Sequence, residues 1–491
     1  MTSLLLDHFH NPRNAGELPG ADGRGGAGDP GCGVVIKFFI NFDAGNLAEA
    51  RFQASGSSAA IAAGSLITEI ITGRSWQEAA RLPSATIEAA LSGDSERGGE
   101  SIRKAAFFAV ESLHAALEDA IGRGTFPKAK EIHENSMLVA MSGGVDSSTA
   151  CLLERNAGRD VVGVTMRLWS DPSCEDVESP SCCSPEAIRG AREVCHGLGL
   201  PHLTVDYTET FAAVVVDDFV GEYMAGRTPN PCARCNGRFR FHELILLAAR
   251  LGAAQVATGH YVRLRQSGGD GRLIVRGADQ AKDQSYMLWG IKPALLERLD
   301  FPLGELSKDD SRNLAREAGI AAHNRPESQE VCFIPDDDYR RFLRSRAVEL
   351  PGAGDIVDAA GDRLGSHGGF IDYTVGQRHG LGVSAPEPLY VLRTVPEENL
   401  VVAGSRVELA VSTLVIGQVN SFVPADELLG ISLMIQPRYN APAVPGRIVE
   451  DFRGSWRLEL DQPVYGIAPG QSAVIYDDQI LMAGGVIETA F

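Results

Sequence analysis

No apolar run in this chain of 491 residues approaches the ~20 needed to cross a bilayer; the longest, such as Ile245–Ala249, fall far short. The N-terminus, MTSLLLDHFHNPRN, has no basic segment followed by a long apolar core, so no leader is evident. These two absences lead us to expect a cytoplasmic protein with no membrane partner. Positive charge is also scarce. Lys and Arg number 45 against 64 Asp and Glu, a net charge of −19. That excludes a generally basic protein that coats phosphates, and a polyanion partner would need a local basic patch. Repeats and low-complexity segments are missing. With 44% hydrophobic and 22% charged residues, wholesale disorder is excluded as well. At one domain per ~100–200 residues, the length suggests three or four domains. The nine cysteines are Cys32, Cys151, Cys174, Cys182, Cys183, Cys195, Cys232, Cys235 and Cys332. An odd count in a chain long enough to build cores points to buried, catalytic or metal-binding thiols rather than structural disulfides.

What is present reads as an α/β chain. Val34–Phe42 and Ala48–Ala54 are predicted strands, followed by helices over Ala59–Thr72 and Ile102–Gly122, which makes an α+β unit over residues 1–125. The polar stretch Gly122–Asn135 reads as a linker, drawn at 126–135. Strands and helices then alternate: strands at Met137–Met141, Val161–Leu168, His202–Val205 and Gln255–Thr258, with helices at Ser147–Asn156, Ser184–Leu198, Phe211–Met224 and Phe241–Leu251. This alternation predicts a Rossmann-like parallel sheet covered by helices, over 136–345. Beyond Pro351 short β-rich runs predict a small central β domain at 346–411 and a β-barrel at 412–491.

The sharpest motif is Ser142-Gly143-Gly144-Val145-Asp146-Ser147-Ser148, between an apolar strand and a helix. Two glycines let the backbone approach a phosphate, and the helix N-terminus supplies donors and a positive dipole end. No Gly-Lys-Ser/Thr follows, so this is not a Walker loop. The bland reading is a capped strand-to-helix turn. SGGVDS resembles the pyrophosphate loop of the ATP pyrophosphatase superfamily, which implies ATP cleaved between its α and β phosphates, with Mg2+.

Further motifs follow in order: Gly226-Arg227-Thr228-Pro229-Asn230-Pro231-Cys232-Ala233-Arg234-Cys235-Asn236, then Arg238-Phe239-Arg240-Phe241, then Ala257-Thr258-Gly259-His260-Tyr261. After them come Lys282-Asp283-Gln284-Ser285-Tyr286, Ser328-Gln329-Glu330-Val331-Cys332-Phe333-Ile334 and Tyr373-Thr374-Val375-Gly376-Gln377-Arg378. Together these resemble the tRNA-specific 2-thiouridylase (MnmA) family, over residues ~136–491. The resemblance implies adenylation of the C2 oxygen of the wobble uridine and sulfur transfer from a cysteine persulfide. It implies that Cys332 carries the persulfide and that Cys235 is its disulfide partner. Ala140, Met141, Ser142, Gly143, Gly144, Val145, Asp146 and Ser147 would hold the phosphates, and Met166 and Gly259 the adenosine. Asn230, Pro231, Cys232, His260, Lys282, Asp283, Gln284, Arg438, Tyr439 and Gln471 would face tRNA, the target base included.

Read bottom-up, Lys282 and Arg438 suit phosphate contacts and Tyr439 can stack on a base, while each could equally be a solvated surface residue. Cys332 among Val331, Phe333 and Ile334 also fits a core position. Cys232-x-x-Cys235 fits half a zinc site, although no second half follows. Cys232, Cys235 and Cys332 could together ligate an iron–sulfur cluster, which is not the favoured reading. No ligand spacing marks Cys174, Cys182, Cys183 and Cys195, and Cys151 is expected to be buried. Another pyrophosphate-loop enzyme and an iron–sulfur carrier remain as alternatives.

Asp7-His8-Phe9-His10-Asn11-Pro12-Arg13-Asn14 and Gly31-Cys32-Gly33 resemble the IscU/NifU-type iron–sulfur scaffold over residues ~5–120. That family uses three cysteines and an aspartate. Here only Cys32 remains, with Val34, Ser57 and Ala105 at the other ligand positions. The domain is therefore expected to keep the fold and lack the cluster. It would dock a cysteine desulfurase or sulfur-relay protein as donor, with Cys32 as a possible relay and the polar linker letting the domain swing.

Overall fold

The computed structural model describes residues 2–491 apart from 30, 32, 94–98, 170–183, 269–270, 322–330, 335 and 347–348. Cys32, Cys174, Cys182 and Cys183 lie outside the described residues. The N-terminal unit is an antiparallel sheet of β1 (Gly23–Asp29), β2 (Val34–Asp43) and β3 (Asn46–Ser55). The long helix Glu100–Gly122 lies across it. The glycine-rich strand β1 is absent from the sequence reading, and packing explains it. A Cβ at Gly23 or Gly25 would come within 2.2 or 2.1 Å of the helix backbone at Ala116, so only glycine lets the helix settle. Val34 and Ala105 are core residues, and Ser57 caps the helix Ser58–Ile71 by accepting from the Ala60 amide.

The connecting segment is not a free tether. Phe126 is buried, edge-on to Phe42 and Trp76 of the N-terminal unit. Ala129 N–H donates to the Arg250 carbonyl, and His133 N–H to that of Gly252. The expected freedom to swing is corrected by these bonds. The two units also meet along a charged seam. Arg192 pairs with Glu111, Arg167 with Glu118 at 2.8 Å, and the His114 and His196 rings lie 5.4 Å apart.

The second unit holds five parallel strands, β4 (His133–Ala140), β5 (Asp160–Arg167), β6 (His202–Asp206), β7 (Ala253–Ala257) and β10 (Leu299–Asp300), in the order β10-β7-β4-β5-β6. Chain order runs outward from β4 to β6, then returns to β7 on the other side of β4. The end of β4 is therefore the topological switch point, where open α/β sheets bind ligands. A hairpin of β8 (Val262–Gln266) and β9 (Arg272–Arg276) leaves this unit.

A four-stranded sheet follows, in the order β12-β11-β14-β13, from β11 (Gly354–Val357), β12 (Arg363–His367), β13 (Tyr390–Val395) and β14 (Leu400–Gly404). Strands β15 (Ala410–Ser421), β16 (Leu433–Gln436), β17 (Val444–Phe452), β18 (Ser455–Tyr465), β19 (Ser472–Asp477) and β20 (Ile480–Ala490) close into an antiparallel barrel, since β15 pairs with both β18 and β20. The β8–β9 hairpin joins this barrel through Val275 opposite Ile480. Among the described residues, no helix is long and apolar enough to cross a membrane.

Candidate active site

The expected phosphate loop sits at the switch point. After β4, Gly143 takes a left-handed φ of +74°, and a Cβ there would meet the Ala187 carbonyl oxygen at 2.3 Å. Gly144 caps the helix Val145–Asn156 without a side chain. The Ser147 hydroxyl accepts from Ser142 N–H at 3.1 Å and contacts the Ser142 hydroxyl at 3.1 Å, so the loop is internally braced. A helix start behind two glycines is a cradle for an anion. Ala140 ends the strand, and the N–H of Met141, the next residue, donates to the Val164 carbonyl. Met166 lies two residues further along β5, buried beside the loop's own strand.

Two residues that the sequence reading did not assign dominate the loop's electrostatics. The Asp146 carboxylate receives Lys308 Nζ at 2.8 Å on each oxygen and the Tyr261 hydroxyl at 2.8 Å. Lys308 opens the helix Lys308–Glu317 and its ammonium is nearly buried, which is costly for a lysine unless it is paired. Nothing local marks it, because 162 positions separate it from Asp146.

Tyr261 is also the hub that joins the other expected residues. Gly259 presses on the first turn of the loop helix: a Cβ there would stand 2.7 Å from the Ser147 nitrogen. Gln284 Oε1 accepts from Tyr261 N–H at 3.0 Å. Asp283 is consumed by the fold. It pairs with Arg276 at 2.7 Å and accepts from the amides of Gly277 and Ser285, so it holds the β8–β9 hairpin against its own loop. His260, half-buried between Phe241 and Phe301 and bonded to the Thr258 hydroxyl at 2.7 Å, stays neutral. Desolvation and the Arg240 guanidinium lower its pKa to about 3.

Arg240 bridges to the cysteine helix, since it also acts on Cys232. Asn230 accepts from Ala233 N–H and caps the helix Pro231–Cys235, with Pro231 at its first position. Burial and the neighbouring Cys235 raise the Cys232 thiol to about 11, opposite to what a nucleophile or metal ligand needs. Tyr439 stands among Cys232, Asp283 and Lys282, its ring 5.6 Å from that of Tyr286. Arg438 beside it is exposed. Gln471 donates to the Thr228 and Pro229 carbonyls at 3.0 and 3.1 Å, pinning the barrel to the loop before Asn230.

Cys235 is buried, Cys332 half-buried, and both pack on one apolar cluster. Phe239, one turn after Cys235, lies 5.6 Å from Phe211, which lies 5.8 Å from Phe333, the residue after Cys332. Three rings thus span the 97 positions between the cysteines. Among the described residues, no three His, Cys, Asp or Glu side chains gather as a metal group. Cys151 and Cys195 are buried together behind the loop helix, away from these rings.

Comparison with known proteins follows the same division. Residues 135–336 match the model of the tRNA methyl transferase HUP domain, and residues 2–125 that of the NifU-like N terminal domain. Residues 340–405 match the tRNA methyl transferase PRC-barrel domain, and 411–487 the aminomethyltransferase beta-barrel domain. The chain is 44% identical to the bifunctional protein NifU/MnmA of Rubrobacter xylanophilus, covering 98% of this chain and 97% of the relative. It is 40% identical to the tRNA-specific 2-thiouridylase MnmA of Acidithiobacillus ferrooxidans, covering 72% and 99%. It is 42% identical to that of Carboxydothermus hydrogenoformans, covering 73% and 98%.

Proposed function

The chain belongs to the tRNA-specific 2-thiouridylase family, joined to a NifU-like N-terminal domain, and from that premise we propose that it thiolates the wobble uridine of tRNA at C2. It is an ATP-dependent tRNA sulfurtransferase. One observation carries the assignment to these residues. Tyr261 ties the glycine loop through Asp146 to the tRNA-facing loop through Gln284, while His260 and Arg240 continue to Cys232.

The chemistry runs from leaving group to sulfur. The uracil C2 oxygen attacks the α-phosphorus of ATP, the α–β bond breaks, and pyrophosphate departs from the cradle of Ser142 to Ser147. Mg2+ enters with ATP as part of the substrate. The loop amides stabilise the charge that develops on the phosphates. A persulfide on Cys332 then attacks C2 through its terminal sulfur, and AMP leaves with the original oxygen. The Cys235 thiolate attacks the inner sulfur, forming a Cys235–Cys332 disulfide and leaving sulfur on C2. A thiol reductant restores both cysteines. A cysteine desulfurase or relay protein supplies the next sulfur, and Cys32 is a relay candidate lying outside the described residues. Cys232, half-buried and with its thiol pushed up by desolvation and by Cys235, is given no part in sulfur transfer.

The test uses two transcripts of one tRNA, with uridine or cytidine at the wobble position, incubated with the protein, ATP and a sulfur donor. Mass spectrometry of nucleosides is expected to find 2-thiouridine in the first alone. Equal thiolation of both would remove the wobble assignment.

A further inference from the structure

A cleft of about 450 Å3 opens between the cysteine helix and the barrel. Arg234, Arg238, His242, Lys292 and Asn230 are among the residues that line it. The charges here are unusual for this acidic chain. The most basic helix, Tyr339–Arg346, spends its guanidiniums on carboxylates: Arg340 and Arg344 on Asp372, Arg341 on Asp336. In the cleft, Asp218 and Glu222 are answered by Arg234 and Arg227. Arg238 and Lys292 are exposed, and among the described residues neither has a carboxylate partner within ion-pair distance.

The barrel wall is built to hold this arrangement. Gln418 is a non-glycine residue at a φ of +51°, in an irregular stretch of β15. Its Oε1 accepts from Arg238 at 3.0 Å and from Arg234 at 3.4 Å. A left-handed backbone at such a residue is strained and persists where the surroundings fix it. Asn420 donates to the Trp289 and Ile291 carbonyls at 2.6 and 2.9 Å, fixing the loop that presents Lys292. A guanidinium has five donors, so Arg238 keeps several for a ligand while one rests on Gln418.

We propose that this cleft binds the sugar–phosphate backbone of tRNA next to the target uridine, with Arg238 and Lys292 as its phosphate contacts. The inference rests on the tRNA reading above. Its logic is charge: a chain of net charge −19 that takes a polyanion must present a local cationic surface, and these cations border the residue that caps the cysteine helix. Contacts of this kind position the RNA and carry no base information.

The experiment measures, on the full chain, the dissociation constant for unmodified tRNA across a salt series, with thiolation followed in the same samples. Arg238→Gln with Lys292→Gln is expected to weaken tRNA binding about tenfold and to flatten the salt slope by about 1 for each phosphate no longer neutralised. Arg238→Lys keeps the charge and should lie near the parent. Lys128→Gln with Lys130→Gln, the same two-charge change on the exposed connecting segment, controls for net charge. A double variant with the parent's affinity and salt slope would overturn the cleft, whether or not thiolation occurs. A parent that binds tRNA without thiolating it would overturn the functional reading and leave the cleft to the binding data.

Discussion

The N-terminal domain and the pyrophosphate-loop domain have both kept their folds and treat their ligand positions in opposite ways. In the first, the residues expected at the scaffold family's ligand positions serve packing: Val34 and Ala105 fill the core and Ser57 caps a helix. In the second, the loop keeps its glycines at a helix start, and Asp146 is bonded to a buried lysine. A fold therefore outlasts its chemistry when apolar periodicity is preserved, because packing needs volume and pattern, whereas a site needs particular atoms.

The comparison can be broken most forcefully at the loop. Asp146→Ala removes the partner of Lys308 and Tyr261, and pyrophosphate release with tRNA present is expected to fall ~10²–10³-fold. Unchanged release would deny the loop its role. Val34→Asp asks the opposite question of the N-terminal domain. It places a carboxylate at a buried position, so the domain should lose roughly 2–4 kcal/mol, read as a lower denaturant midpoint with ATP turnover retained.

Acid sharpens the contrast at the seam. Burial lowers the pKa of His114 and His202 well below the usual histidine value, with Arg192 adding to it, and burial lowers His196 to about 4. The folded state leaves these rings neutral while the unfolded chain protonates near 6.5. Stability is therefore full above about pH 6.5 and is lost as pH falls, for His196 down to about 4, by about 1.4 kcal/mol per pH unit for each ring. Thermal midpoints from pH 7.5 to 5 should show this loss, and His114→Leu should make it shallower. The smallest effect is Ser57→Ala, a lost helix cap worth about 1 kcal/mol in chemical denaturation, with no change in thiolation.

Much of this was legible from local pattern. Alternating apolar runs gave the parallel sheet, and the β-rich tail gave the barrel. Glycine-rich β1 was not legible, since its reason is a helix 90 or so positions on, felt only through Ala116. The β8–β9 hairpin reads locally as part of the nucleotide domain, and only its pairing with β20 joins it to the barrel. At the site, the loop and the cysteines announce themselves by motif. Lys308 is an ordinary lysine after a capping serine until folding sets it on Asp146. Conversely, Asp283 and Gln471, expected to face tRNA, already hold loops together, as polar side chains at domain junctions often must.

The most direct test of the central claim separates activation from sulfur delivery. Cys235→Ser and Cys332→Ser variants are incubated with ATP, tRNA and a cysteine desulfurase with cysteine. Pyrophosphate release and, by mass spectrometry, 2-thiouridine are then measured in the same reaction. Both variants are expected to bind tRNA and release pyrophosphate while forming no 2-thiouridine, since a hydroxyl cannot carry or resolve a persulfide. Thiolation at the parent rate in either variant would contradict the account.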